Sequence, residues 1–232
     1  MKLAIMQPYF LPYIGYFQLI AAADLFIIYD NIKYTKKGWI NRNRMLQNDR
    51  DVMFSLPLKS APDQNHVRDR MLAADFKRDK LLNQFRGAYS RAPFFGRAYA
   101  ALERILRFED NRLFEFLHHS LTEICTELRI HTPIRISSTV PIDHGLKGQD
   151  KVIALAKAVG ASTYINPPGG QELYSQQAFR SQGIELQFLR PSLVEYRQFG
   201  GEFVPWLSII DVMMFVSPET VSEQFLLQYE LI

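Results

Sequence analysis

The chain has 232 residues, 47% of them hydrophobic and 22% charged. That length buries a substantial core without disulfides, and it fits one domain over 1–232 with a helical insertion at about 70–130. A net charge of +3 and a pI near 8.9 permit an anionic ligand without demanding nucleic acid. The single cysteine, Cys125, excludes an intramolecular disulfide and favours a reducing compartment. No apolar run approaches the roughly 20 residues of a membrane helix. Met1-Lys2 leads into a strand-like run rather than a signal peptide, so a cytoplasmic location is expected.

Residues 2–6 are apolar enough for a central strand of a parallel sheet. They lead into Gln7-Pro8-Tyr9-Phe10-Leu11-Pro12-Tyr13-Ile14-Gly15-Tyr16-Phe17, which is stiff and aromatic for a simple connector. A helix is predicted to start at Pro12 or Tyr13 and run to residue 23, since proline suits a first turn that does not use its N–H. Residues 25–29, β-branched and aromatic, form the second strand, ending at Asp30-Asn31. Strand, loop, helix and strand make a βαβ unit. In open α/β folds ligands sit at the carboxyl ends of strands, beside helix N-termini. Gln7, Tyr9, Tyr13, Gly15, Tyr16 and Asp30 are therefore candidate site residues.

Residues 33–44 carry five basic side chains, two aromatics and two asparagines. This mixture suits a clamp for phosphate or carboxylate, with arginine as a bidentate donor and lysine as a point charge. Lys36, Lys37 and Arg42 are assigned to phosphates, Trp39 to stacking on a base or sugar ring, and Asn41 and Asn43 to hydroxyls. A hairpin is predicted from 44–46 and 52–58 around Asn48-Asp49. Helices are predicted over 76–90, 94–108 and 111–128, the last capped by Asp110 or Asn111. Its neighbours His118 and His119 point to different faces and make no two-point metal site.

The α/β alternation then resumes. Strands are predicted at 134–137, 163–165 and 184–189, and helices at 149–159, 174–182, 208–216 and 218–227. The class is α/β with a mostly parallel sheet. The loop 144–151 opens a helix with Lys147 and Lys151, an arrangement that holds an anion. Residues 166–174, ending at Tyr174, follow a strand and face the same crevice, and the aromatic stretches 196–198 and 203–208, with Trp206, are expected to pack its rim. Asp211 lies in a first helical turn, where it either orients a basic residue or favours the helix dipole. Gly-x-x-x-x-Gly-Lys-Ser/Thr, Gly-x-Gly-x-x-Gly, Gly-x-Ser-x-Gly and Cys/His metal spacings are all missing, and no metal site is assigned.

Taken together, the stretches 7–17, 34–43 and 147–174, with Tyr196-Arg197-Gln198, Phe203-Val204-Pro205 and Ser208-Ile209-Ile210-Asp211, resemble the WbqC-like protein family. Members are often encoded among genes for bacterial surface polysaccharides, notably O-antigen. The resemblance implies a cytoplasmic enzyme or accessory protein acting on modified sugars. Where Tyr164-Ile165-Asn166-Pro167-Pro168 stands, members more often read Tyr-Leu-Ser-Gly. The opening is also similar to nucleotidylyltransferase-like enzymes such as pantothenate synthetase, with Tyr13-Ile14-Gly15-Tyr16 in place of their His-x-Gly-His. That implies a Rossmann-like fold in which tyrosine, uncharged at neutral pH, replaces the charge-stabilising histidines. Lys36, Lys37, Arg42 and Lys147 are the cations available to replace that charge.

The expected function is an acyl- or aminoacyltransferase or ligase that forms an amide on a nucleotide-linked amino sugar. The donor is left open between ATP chemistry and an already activated acyl group, with tRNA as the one nucleic-acid donor considered. Gln7, Tyr16, Lys36 and Arg42 are the expected catalytic residues. Tyr9, Tyr13, Gly15, Asp30, Lys37, Trp39, Asn41, Asn43, Lys147, Lys151, Tyr174 and Asp211 are the expected substrate contacts. A non-catalytic nucleotide-sugar or glycan-precursor binding protein is the alternative, and RNA binding by 33–44 a third reading.

Overall fold

The side chains of the first strand, β1 (Lys2–Met6), alternate between two apolar layers, as a pleated strand requires. Ala4 joins one cluster of 51 buried residues, while Leu3 and Ile5 join a second cluster of 13. A strand buried on both faces must lie between two layers of helices. The computed structural model, which describes residues 1–232, has that architecture.

After β1 come α1 (Ile14–Ala22) and β2 (Leu25–Ile28), then a hairpin of β3 (Arg42–Gln47) and β4 (Arg50–Ser55). Three helices follow: α2 (Arg78–Tyr89), α3 (Phe95–Leu106) and α4 (Leu113–Glu127). The alternation continues with β5 (Ile134–Ile136), α5 (Gly148–Ala158), β6 (Thr163–Asn166), α6 (Gln176–Ser181) and β7 (Glu185–Pro191). The chain closes with α7 (Ile209–Phe215), α8 (Pro218–Glu223) and β8 (Tyr229–Leu231). The central sheet has the order β5-β2-β1-β6-β7-β8, with every pairing parallel except that of β7 with β8. This is a Rossmann-like α/β fold. From β1 the chain first builds outward through β2 and β5, then returns and builds the other way through β6 and β7. The reversal falls between β1 and β6, and it opens a crevice at their carboxyl ends.

The hairpin and the three helices between β2 and β5 belong to the larger apolar cluster. Their attachment runs through the loop that follows β1. Phe10 is fully buried, with its ring 5.8 Å from Phe54 of β4 and 6.0 Å from Phe116 of α4. Tyr89, at the end of α2, accepts the Leu46 backbone N–H at 2.7 Å and donates to Asp211 Oδ1 of α7 at 2.7 Å. Gln18 of α1 donates to the carbonyls of Phe225 and Gln228, and so fastens the C-terminal segment.

Several boundaries differ from the sequence-based expectation. The hairpin is longer than expected, because Arg42 and Asn43 already pair with β4. Its turn, Asn48-Asp49, has both φ angles positive, at 53° and 57°, as a two-residue turn matched to strand twist demands. The first helix starts at Ile14, with Pro12 outside it, because the Pro12 carbonyl is used by Ile209 N–H at 2.9 Å. The helix expected over 174–182 is present as the shorter α6, and a 3-10 turn, Pro168–Leu173, precedes it. The last helix breaks after Glu223, and β8 was not foreseen. Its three residues carry too little alternation to register against the polar positions around them.

Replacing Phe10 with alanine empties a site where the hairpin, α4 and the opening loop meet. The expected cost is about 3–5 kcal/mol, read from urea unfolding. A cost below about 1 kcal/mol would mean that the loop does not hold the insertion.

Candidate functional site

Two arrangements stand at the carboxyl ends of the strands. The first is an aromatic box. Tyr9, Pro12, Tyr13, Trp39, Arg44 and Trp206, with Asn43 beneath, enclose a cavity of about 190 Å³. The chain has only two tryptophans, and both line this cavity while remaining 40% and 49% exposed. Large aromatics left open to solvent around one cavity mark a binding surface rather than a core.

Backbone strain frames the box. Trp206 has φ of 60° and Leu11 has φ of 45°, both in the left-handed region that non-glycine residues rarely occupy. Such residues cost on the order of 1–3 kcal/mol each and persist where their surroundings over-determine them. Here the Leu11 carbonyl accepts from Asn43 Nδ2 at 2.8 Å and from Ser208 Oγ at 2.8 Å. Asn43 Nδ2 also reaches the Phe10 carbonyl, and Ser208 N–H bonds to the Arg44 carbonyl. Three distant segments are thereby tied at one carbonyl. The Tyr13 ring meets Trp206 edge-on at 5.9 Å, inclined by 70°. It lies over Gly15, where any side chain would run into the ring. Burial pushes the Tyr9 and Tyr13 hydroxyls above the ordinary tyrosine range.

The second arrangement is a buried polar cluster at the ends of β2 and β5. Lys151, in the first turn of α5, donates to Asn31 Oδ1 at 3.1 Å and sits 5.4 Å from the Tyr29 ring centre. Asn31 Nδ2 bonds to His144 Nδ1 at 3.0 Å, and His144 Nε2 meets the Val140 carbonyl at 3.0 Å. Those partners assign the ring its neutral Nε2–H tautomer. Asp30 Oδ1 accepts from Ser137 Oγ at 2.8 Å and from Ser138 N–H at 3.0 Å. Its Oδ2 faces Arg68 at 3.5 Å. Burial pushes the Asp30 carboxyl up, but the hydrogen bonds from Ser138 and Ser137 outweigh it and hold the group below its ordinary value. Burial lowers the Lys151 ammonium, opposed by the nearby Asp30 charge. A buried lysine with a depressed pKa at this edge of an α/β sheet is a site candidate on physical grounds.

The structure distributes the expected residues unevenly. Tyr9, Tyr13, Trp39 and Asn43 meet in the box. Asp30 and Lys151 meet in the polar cluster. Tyr174 packs edge-on against Tyr164 at 5.9 Å, in electrostatic reach of Tyr29. Arg42 lies 5.9 Å from the Trp39 ring centre and donates its Nε to the Gly38 carbonyl. Lys36 is exposed and pairs with Asp63 at 2.8 Å. Lys37 and Lys147 are exposed.

Other expected residues are engaged inside the protein. Tyr16 is buried and donates to the Gln7 backbone carbonyl at 2.7 Å, a bond that commits the Tyr16 hydroxyl but not the Gln7 side chain. Asn41 accepts from Tyr34 and donates to the Leu56 carbonyl. Asp211 is fully buried and accepts from Tyr89, Tyr196 and Gln198, with no basic partner among them. Its burial raises the carboxyl despite those three donors. Trp206 lies in the aromatic stretch 203–208 expected at the rim of the crevice, and it lines the box. Arg44, Asn31 and His144 were not assigned to the site from the sequence, and the second arginine of the 33–44 stretch was the available signal. A wider depression of about 500 Å³, lined by Gln176, Arg180 and Glu185, lies by the amino-terminal start of β7, away from these groups. No set of three or more His, Cys, Asp or Glu is placed to hold a metal ion, and no helix is long and apolar enough to cross a membrane.

The profile of the WbqC-like protein family matches residues 7–223. The chain belongs to the WbqC-like protein family. This WbqC-like protein is also similar to the uncharacterized protein Rv1507c of Mycobacterium tuberculosis (strain ATCC 25618 / H37Rv). The two are 27% identical over 221 residues, which is 94% of this chain and 95% of the mycobacterial one. No solved structure matches the WbqC-like chain. The matched span takes in both the aromatic box and the polar cluster.

The depressed Asp30 pKa gives a signed prediction. A carboxyl whose folded pKa lies below its unfolded value adds stability above the unfolded value, and that stability is lost as pH falls through the folded one. Wild-type protein should therefore be more stable than Asp30→Asn at about pH 6, with the gap closing below about pH 4. Urea midpoints at each pH measure it. A gap that widens on acidification would contradict the assignment.

Proposed function

We propose that this WbqC-like protein is a transferase or ligase that forms an amide on the amine of a nucleotide-linked amino sugar in bacterial surface polysaccharide biosynthesis. One observation carries the reading. Both tryptophans, with Tyr9 and Tyr13, are held open around a one-ring cavity at the head of β1, the side of the sheet where Rossmann-like folds take nucleotides. A cavity of about 190 Å³ is below the roughly 300–1,000 Å³ of drug-sized sites, so it takes one ring of a larger ligand. Family membership supports the setting, since WbqC-like proteins are linked to polysaccharide loci.

In the reaction the amine nitrogen attacks the acyl carbonyl carbon. A C–N bond forms, the bond to the leaving group breaks with its electron pair, and the proton lost by the amine ends on the departing group. Negative charge gathers on the acyl oxygen in the transition state, and a fixed cation in a dry site stabilises it. Lys151 is the cation assigned to that task. Asn31, His144 and the Val140 carbonyl form the relay that positions it.

A second reading rests on a specific feature. The Tyr16 hydroxyl is committed to the Gln7 carbonyl, so the position aligned with a catalytic histidine serves the fold. A non-catalytic binder of nucleotide sugars would need nothing more there. Turnover separates the two. The protein is incubated with amino-sugar nucleotides and, in turn, ATP with amino acids, acyl-CoA, or aminoacyl-tRNA, and mass spectrometry looks for a new amide. The transferase reading expects product, with Lys151→Ala lowering kcat by about 10²–10³ at unchanged melting temperature. Binding without product from any donor leaves the binder.

A further inference from the structure

We infer that the aromatic box is a glycosyl-phosphate subsite: it takes the pyranose ring rather than the base, and Arg42 with Arg44 takes the phosphate attached to that ring. The inference rests on the nucleotide-sugar reading above and names which part of such a ligand enters the box.

Geometry favours the pyranose. The box walls are steeply inclined to one another, as the 70° between Tyr13 and Trp206 shows. A flat heterocycle stacks on one such wall only. A pyranose chair directs C–H bonds at several aromatic faces at once. A base also needs fixed donors and acceptors on its edge. The one amide under the box, Asn43, is already engaged with the Phe10 and Leu11 carbonyls and the Arg44 N–H.

Charge places the phosphate. Arg42 and Arg44 alternate along β3 on its outward side and flank Trp39, at 5.9 and 5.6 Å from its ring centre. Arg42 bonds within the protein through Nε, to the Gly38 carbonyl at 2.9 Å, which leaves its terminal fork for a ligand. Arg44 is poorly satisfied. Its Nη1 pairs with Asp51 at 2.9 Å, its Nη2 reaches the Trp206 carbonyl only at 3.4 Å, and its buried Nε has no partner. Arg70 is buried against the Tyr34 ring at 4.4 Å, donates Nη1 to the Ala61 carbonyl at 3.1 Å, and has its Nε and Nη2 unpartnered. These cations sit within electrostatic reach of Tyr34, where Arg70, Arg42 and Lys36 all favour the ionised hydroxyl against the larger opposing effect of burial. Asp51 and Asp63 answer Arg44 and Lys36, while Arg42 has no carboxylate partner and remains the cation open to an anion here.

Because both tryptophans line the box, intrinsic fluorescence reports this cavity directly. The probes are glucosamine 1-phosphate, glucosamine and UDP, titrated separately into the full chain. The inference expects a saturable fluorescence change with glucosamine 1-phosphate, at least about tenfold weaker affinity for glucosamine, and no change with UDP. Arg42→Ala should weaken glucosamine 1-phosphate roughly tenfold to a hundredfold and leave glucosamine unaffected. Arg42→Lys should fall between Arg42→Ala and wild type. A fluorescence change with UDP but not with glucosamine 1-phosphate would put the base in the box and overturn the inference. Equal losses for both sugars in Arg42→Ala, or no change with any probe, would also overturn it. Sugar-phosphate binding in a protein that makes no amide leaves this inference standing and removes only the transferase reading.

Discussion

The Leu11 carbonyl is the point on which the rest of the structure depends. It receives hydrogen bonds from Asn43 of β3 and from Ser208 at the start of α7. Those three residues come from the opening loop, the hairpin and the C-terminal third of the chain. Leu11 sits in a conformation that disfavours any side chain, and the paired donors hold it there. On one side of this pin Phe10 enters the apolar core and anchors the helical insertion. On the other side Pro12 and Tyr13 form a wall of the aromatic box. The same few residues therefore hold the fold together and shape the ligand cavity, so the site is rigid because the core is.

The two polar centres of the protein divide along a physical line. Asp211 is enclosed by Tyr89, Tyr196 and Gln198, in a pocket where burial raises its pKa. Its position ties α2, α7 and the loop between β7 and α7, which is a structural task. Asp30 and Lys151 lie at the carboxyl edge of the sheet; Lys151 reaches His144 through Asn31, and Ser137 joins Asn31 to Asp30. Burial lowers the Lys151 ammonium, hydrogen bonds hold the Asp30 carboxyl below its ordinary value, and both residues are under a tenth exposed. Ser137 stands between the Asp30 carboxylate and the Asn31 oxygen that takes the lysine, so the two groups are joined through a hydroxyl and an amide rather than in direct contact.

The sheet was legible because its strands are buried on both faces and read as apolar runs. Leu3-Ala4-Ile5 and Phe26-Ile27-Ile28 needed no partner to be recognised. The short C-terminal strand was not legible, since Tyr229-Glu230-Leu231 depends on pairing with β7 for its conformation. At the site, residue chemistry announced Trp39, Tyr9 and Tyr13 and set the stretch 203–208 at the crevice rim, but did not show which of its side chains faces them. Trp206 joins them from a segment nearly two hundred residues from the opening loop, and only folding brings it there. Asn41, Asn43 and Tyr16 were expected at the ligand as polar groups in a dense aromatic stretch, and Asn43 does line the box. In the fold they satisfy backbone carbonyls or each other's neighbours, a demand that sequence spacing does not reveal. Gly15 has its own local reason, the Tyr13 ring lying over it.

Hydrogen exchange with and without a UDP-linked amino sugar tests most directly the claim that the pinned opening loop is also the floor of the site. Ligand should slow exchange in peptides covering residues 7–13, 38–44 and 204–209 together, since one carbonyl couples them. The exposed faces of α2 to α4 and the edge formed by β7 and β8 should exchange as before. Protection confined to those outer elements, or to 38–44 without the opening loop, would contradict the account.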